Sequence, residues 1–152
     1  NRRALEVNLS RLISSRVSFS LMQLDLDRFK NVNNTLRHAA GDHVLQKAAE
    51  VLQTVVRNED AVIRLGGDEF VLVFANLKDR RRLSILSERI IEELQKPIFF
   101  DNQVCHISAS IGITTITADR LNNSAENFLR EVYQAPTNPR QMKNLVTVFI
   151  NR

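Results

Sequence analysis

Apolar positions recur along the chain with two periods, and the switches between them mark out the elements. Leu5, Leu9 and Leu12 fall at helical spacing and stop at Ser14-Ser15, predicting a helix already under way at the first residue. Residues 18–26 carry Phe19, Leu21, Met22, Leu24 and Leu26, a mostly apolar run that predicts a strand in the middle of a sheet. A short helix is predicted over Phe29–Leu36. A long one follows from Asp42, with Val44, Leu45, Ala48, Val51, Leu52, Val55 and Val56 on one face. Residues 62–65 and 70–74 are apolar runs split by Gly66-Gly67-Asp68-Glu69. That is a β-hairpin pattern, because glycine supplies the positive φ a tight turn demands.

A helix over 79–94 points Leu83, Leu86, Ile90, Ile91 and Leu94 inward and ends before Pro97. Strands at 98–100 and 104–115 flank an Asp101-Asn102 turn, a helix is predicted over 124–134, and a last strand over 145–150. Pro136 and Pro139 keep residues 135–140 out of any helix. Strands interleaved with amphipathic helices in this order predict an α+β fold, helices packed on an antiparallel-rich sheet.

Composition narrows the class. The 152 residues, 43% hydrophobic and 25% charged, suit one globular domain with a real core. No apolar run approaches the roughly 20 residues that span a bilayer, and no signal-peptide pattern opens the chain. The single cysteine, Cys105, has no partner for an internal disulfide and reads as a buried apolar residue in a strand. A cytoplasmic setting is therefore expected, including that of a cytoplasmic part of a membrane-anchored protein, with no membrane contact by this domain. The net charge of +4 favours anionic partners. The one dense basic run, Arg80-Arg81-Arg82, reads as a solvated helix start, and no nucleic-acid-binding motif accompanies it.

Two places hold carboxylates where they are costly. Asp25 and Asp27 close the apolar first strand, and alternation sends both to one side of the sheet. Asp68 and Glu69 sit on the Gly-Gly hairpin. If these strands are neighbours, like charges meet at one sheet end, an arrangement that a cation relieves. Hard oxygen ligands suit magnesium, which completes its shell with water and phosphates. Each feature alone has a plainer reading: Asp27 as cap of the helix at Phe29, the hairpin as a mere turn, Lys30 as a solvated lysine. Together, Lys30 is placed to neutralise charge on a metal-bound triphosphate. Asn33 and Asp42 can read a guanine edge, although a loop asparagine and the N-cap of the long helix are their simpler roles. Arg57 and Asp60 form either a ligand-gripping pair or a helix-terminal arginine with a nearby acid.

At this point the residues resemble a known family. The run Asp25-Leu26-Asp27-Arg28-Phe29-Lys30, then Asn33, His38 and Gly41-Asp42, is similar to its D-x-D-x-F-K region. Gly66-Gly67-Asp68-Glu69-Phe70 is the signature that names the GGDEF family, and Ser110-Ile111-Gly112 resembles its S-x-G strand. The form of these motifs is most like GGDEF domains joined to an EAL phosphodiesterase domain. The resemblance implies a five-stranded, mostly antiparallel sheet flanked by helices, akin to nucleotidyl cyclases and with a ferredoxin-like core, its hairpin carrying the signature. It implies a single domain over residues 1–152, expected to be cut from a longer protein with sensory or EAL domains attached.

The activity implied is that of a diguanylate cyclase, which condenses two GTP into cyclic di-GMP and two pyrophosphates across a two-fold homodimer. Asp25, Asp68 and the Leu26 carbonyl would hold Mg2+, or Mn2+, which accepts the same oxygen ligands. Asp68, Glu69 and Lys30 would be catalytic, and Asn33, His38, Asp42 and Arg140 would bind substrate. Arg57 and Asp60 match the R-x-x-D site for product inhibition, and Arg89 is a further candidate there. Three departures stand out: Asn34 for the usual aspartate, Arg37 for a glycine, and Pro136 where a phosphate-binding lysine is usual. Loss of one such contact costs about 2–4 kcal/mol of transition-state stabilisation. The alternative is a weak or inactive domain that binds GTP or cyclic di-GMP to regulate its neighbours.

Overall fold

The computed structural model describes residues 2–36, 38–117 and 146–151. Helix α1 (Arg2–Ser14) leads into β1 (Phe19–Asp27), then α2 (Phe29–Leu36) and α3 (His38–Val55). The hairpin β2 (Ala61–Gly66) and β3 (Glu69–Ala75) precedes α4 (Arg80–Leu94), β4 (Ile98–Phe100), β5 (Gln103–Cys105), β6 (Ser108–Ile116) and β7 (Val146–Asn151). Five strands form an antiparallel sheet in the order β2-β3-β1-β6-β7, so the apolar run of β1 lies at its centre, as its composition predicts.

Alternation along the strands builds two cores. Met22, Leu24 and Leu26 of β1 join Phe70, Leu72 and Phe74 of β3 and Ala109, Ile111 and Ile113 of β6 against α2, α3 and α4. Phe19 and Leu21, with Val71 and Val73, pack on the other face against Leu5, Leu9, Leu12 and Ile13 of α1. Cys105 is buried in the first of these cores, as expected. A buried polar group appears at Ser87 of α4, whose hydroxyl donates to the Leu83 carbonyl at 3.0 Å and reaches Met22 Sδ at 3.6 Å.

Two elements depart from the sequence reading. The long helix starts at His38, a turn before Asp42, so Asp42 is an exposed residue inside α3 and not its cap. Gly41 is tolerated there because the side-chain oxygen of Asn33 occupies the space a Cβ would need. The run 104–115 divides at His106-Ile107 into β5 and β6, and β4 and β5 form a separate two-stranded sheet. Its turn has φ of 48° at Asp101 and 61° at Asn102, the double positive φ of a tight hairpin. Asp79 caps α4, accepting from the N–H of Arg81 at 3.0 Å and Arg82 at 3.3 Å. The helix predicted over 124–134 lies outside the described residues.

Burial ranks the consequences of truncation. Leu72 is fully buried in the larger core, so Leu72→Ala should cost about 2–5 kcal/mol in urea denaturation. Val7 of α1 is 60% exposed, and Val7→Ala should stay within about 0.5 kcal/mol.

Candidate functional site

The register places the acids of the two motifs side by side. In β1, Asp25 stands opposite Glu69 of β3 and, on its other flank, opposite Ser110 of β6. The Leu26 N–H donates to the Asp68 carbonyl at 3.1 Å, holding the hairpin turn against the strand end. Positions 25 and 27 of β1 and 69 of β3 share the α1 face with Leu21 and Val71, but lie past the strand segments that α1 covers. Four carboxylates, Asp25, Asp27, Asp68 and Glu69, thus collect at one end of the central strands.

Electrostatics register the crowding. The Asp25 carboxyl is pushed up to about 6, first by loss of hydration and then by the charges of Glu69, Asp68 and Asp27. Asp27 does not cap α2. Its carboxylate accepts the Ser110 hydroxyl at 3.0 and 3.2 Å, which gives the serine of the S-x-G run a positioning role that the sequence did not specify. Gly66, with φ of 152°, and Gly67, with φ of 51°, adopt the conformations for which glycine is suited. Arg64 braces the turn, its Nε donating to the Gly67 carbonyl at 3.1 Å. That contact was not legible beforehand, because β2 carries a bulge between Arg64 and Gly66 that shifts the register.

The chain leaves β1 through Arg28, whose φ of 66° is left-handed and costs a non-glycine residue about 1–2 kcal/mol. The bend starts α2 directly behind the acids, with Lys30 exposed in its first turn and Asn33 one turn on. Asn33 meets Gly41, which brings it next to Asp42 in the chain, while His38 is exposed at the start of α3. Arg37, Pro136 and Arg140 lie outside the described residues.

Arg57 and Asp60 sit at the opposite end of β3. The Arg57 guanidinium donates to Asp60 from Nε and Nη2, both at 2.9 Å, and its Nη2 also reaches the Ala75 carbonyl at 2.7 Å. Asp60 accepts as well from the N–H of Arg57 at 2.8 Å and of Ala75 at 3.0 Å, and its side chain is fully buried. The pair therefore ties the end of β3 to the loop before β2. Arg57 keeps 36% of its side chain in solvent and also approaches Glu59 at 3.2 Å. Ala75 is six residues from Glu69, about 20 Å along a strand, so the two sites are separate.

Carboxylates gathered around Asp25, with a main-chain carbonyl beside them, are a donor set that fits a hard divalent cation. Among the described residues no three His, Cys, Asp or Glu side chains form a group able to hold a metal by themselves. Also among the described residues, no helix is long and apolar enough to cross a membrane.

An antiparallel five-stranded sheet with helices on both faces, and acids gathered at a Gly-Gly hairpin, defines the class. The sequence matches the family described as "Diguanylate cyclase, GGDEF domain" over residues 1–143, and the chain belongs to that family. It is 31% identical over 137 residues to diguanylate cyclase A of Treponema denticola, covering 88% of this chain and 36% of that protein. It is 34% identical over 123 residues to the bifunctional diguanylate cyclase/cyclic di-GMP phosphodiesterase MucR of Pseudomonas aeruginosa, covering 78% of this chain and 18% of MucR. Among solved structures, the GGDEF domain of YfiN, also called TpbB, from Pseudomonas aeruginosa superposes with a TM-score of 0.72 at 32% identity. That match covers 90% of this chain and 91% of that one. The chain thus spans about a third or less of these two curated relatives and nearly all of the solved domain.

The Asp25 shift yields a pH prediction. Folded Asp25 holds its proton up to about pH 6, whereas the ordinary value is 3.8, so between these values folding takes up a proton and stability falls as pH rises. Asp25→Asn should match wild type below about pH 4 in cation-free urea denaturation. Its advantage should grow toward pH 6 and level off there at about 1 kcal/mol, a figure reduced for the solvent access of this side chain.

Proposed function

We propose that this chain is a diguanylate cyclase domain, joining two GTP molecules into cyclic di-GMP with release of two pyrophosphates. The observation that carries the reading is the pairing of Asp25 with Glu69, with the Asp68 carbonyl bonded to the neighbouring Leu26 N–H. A magnesium or manganese ion held by Asp25, Asp68 and the Leu26 carbonyl would neutralise the triphosphate and make its α-phosphorus more electrophilic. Asp68 accepts the proton of the incoming 3′-hydroxyl, and Glu69 holds the charge balance beside it. Lys30 stabilises the negative charge that builds on the phosphates. Asn33 and Asp42 read the guanine edge, with His38 alongside the nucleotide and Arg140 on the phosphates.

Each 3′-oxygen forms a bond to the α-phosphorus of the other GTP as the bond to pyrophosphate breaks. One domain holds one GTP, so two copies must face each other about a two-fold axis, and the homodimer is part of the mechanism. Sensory or EAL domains on the same polypeptide would govern that encounter, in a cytoplasmic setting. Pro136 in place of a phosphate-binding lysine favours slow turnover. It also supports a second reading, a regulatory module that binds GTP or cyclic di-GMP without converting it.

Incubating the purified domain with GTP and Mg2+, followed by nucleotide chromatography, separates the two. Cyclic di-GMP is expected from wild type and none from Asp68→Ala; GTP retained unchanged by a dimeric sample would support the regulatory module instead. Arg57 is proposed to grip the product at the far end of β3. Arg57→Ala should therefore raise the concentration of added cyclic di-GMP needed for half-inhibition by at least about tenfold. Unaltered inhibition in that variant would reject Arg57 as a product ligand.

A further inference from the structure

Where α2 meets the start of α3, the sequence gives up helix stability. Ala39 and Ala40, the strongest of helix formers, are followed by Gly41, which weakens a helix relative to alanine because its backbone loses more freedom on folding. No turn calls for the glycine, since it lies inside α3 and is buried. Its φ is not in the left-handed region either, unlike those of Gly66 and Gly67.

The neighbouring helix supplies the reason. A Cβ added to Gly41 would overlap Oδ1 of Asn33 and stand 2.8 Å from its Cγ and 3.4 Å from its Nδ2, and these are the three nearest atoms. The conflict is therefore with one side-chain amide and not with the surrounding backbone or core. Asn33 is only partly buried, so its side chain can swing aside, and the fold would tolerate alanine at position 41. What alanine would not permit is the present place of the Asn33 amide. That amide lies against the α3 backbone, one residue before the exposed Asp42.

We propose that Gly41 is a positioning residue for base recognition, its missing side chain holding open the place from which the Asn33 amide meets the same guanine edge as Asp42. The proposal rests on the reading of Asn33 and Asp42 as guanine-binding residues. It adds a residue that touches no part of the nucleotide and sets the geometry of two that do.

Two measurements test it. In side-chain amide NMR of the ligand-free 152-residue chain, Gly41→Ala should shift the Asn33 resonances, which are identified by their loss in Asn33→Ala. In calorimetric titration with Mg2+ and α,β-methylene-GTP, whose bridge resists cleavage, both single variants should bind roughly tenfold more weakly, as for one lost hydrogen bond to the base. The corresponding ATP analogue, with the same phosphates and a different base edge, should bind all forms equally. Because Gly41 acts through Asn33, Gly41→Ala should cost nothing further on the Asn33→Ala background, and Tm should fall in neither Gly41 variant. Unmoved Asn33 resonances, wild-type affinity for the GTP analogue in Gly41→Ala, or a second full loss in the double variant would each overturn the proposal. A lower Tm shared by the single and double Gly41 variants would do so too, assigning the glycine to packing alone. Failure of the guanine reading has its own signature: Asn33→Ala would bind the GTP analogue as tightly as wild type, which removes that assignment and this proposal with it.

Discussion

Everything at the candidate site depends on like charges being forced together at the end of a central strand. Asp25 is flanked on both sides, by Glu69 in β3 and Ser110 in β6, and cannot relax sideways without breaking a ladder. The two apolar cores fix those ladders in register, because a one-residue slip would turn Met22, Leu24 and Leu26 away from α3 and α4. The core thus sustains an arrangement that the acids on their own would disperse. Asp25 registers it in a raised proton affinity, set first by lost hydration and then by the charges of its neighbours.

Neighbouring groups divide the acids into different roles. Asp27 is tied to Ser110, which directs its oxygens toward β6. Asp68 lies in the turn, its backbone anchored by Leu26 and the adjoining carbonyl held by Arg64. Asp25 is left carrying the repulsion of the other three.

Much of this was legible in the sequence, and the failures have physical causes. The bounds of α2 and the hairpin followed from apolar period and from glycine, since those signals act within a few residues. The start of α3 did not, because Asp42 has the side chain of an N-cap, whereas the helix begins at His38 and runs through Gly41, where Asn33 fills the space a Cβ would need. The division of β5 from β6 was hidden because His106-Ile107 carries no turn residue, and only the pairing of β4 with β5 outside the main sheet exposes it. At the site, residue types revealed the acids, but the Ser110–Asp27 and Arg64–Gly67 contacts are long-range or bulge-dependent and left no periodic trace.

Arg57 and Asp60 form a structural brace at the positions to which the resemblance assigns product binding. Both Asp60 oxygens are engaged by Arg57 and by the Ala75 N–H, so a ligand at this end of β3 would meet Arg57 before Asp60. Withdrawing the guanidinium from a buried carboxylate would leave that charge without its strongest partner, which disfavours any binding mode requiring the pair to separate. A ligand that adds contacts to the solvent-facing part of Arg57 avoids that cost. It would also reinforce the tie between the loop before β2 and the end of β3. The strand that ends at this brace begins at Glu69, beside Asp25.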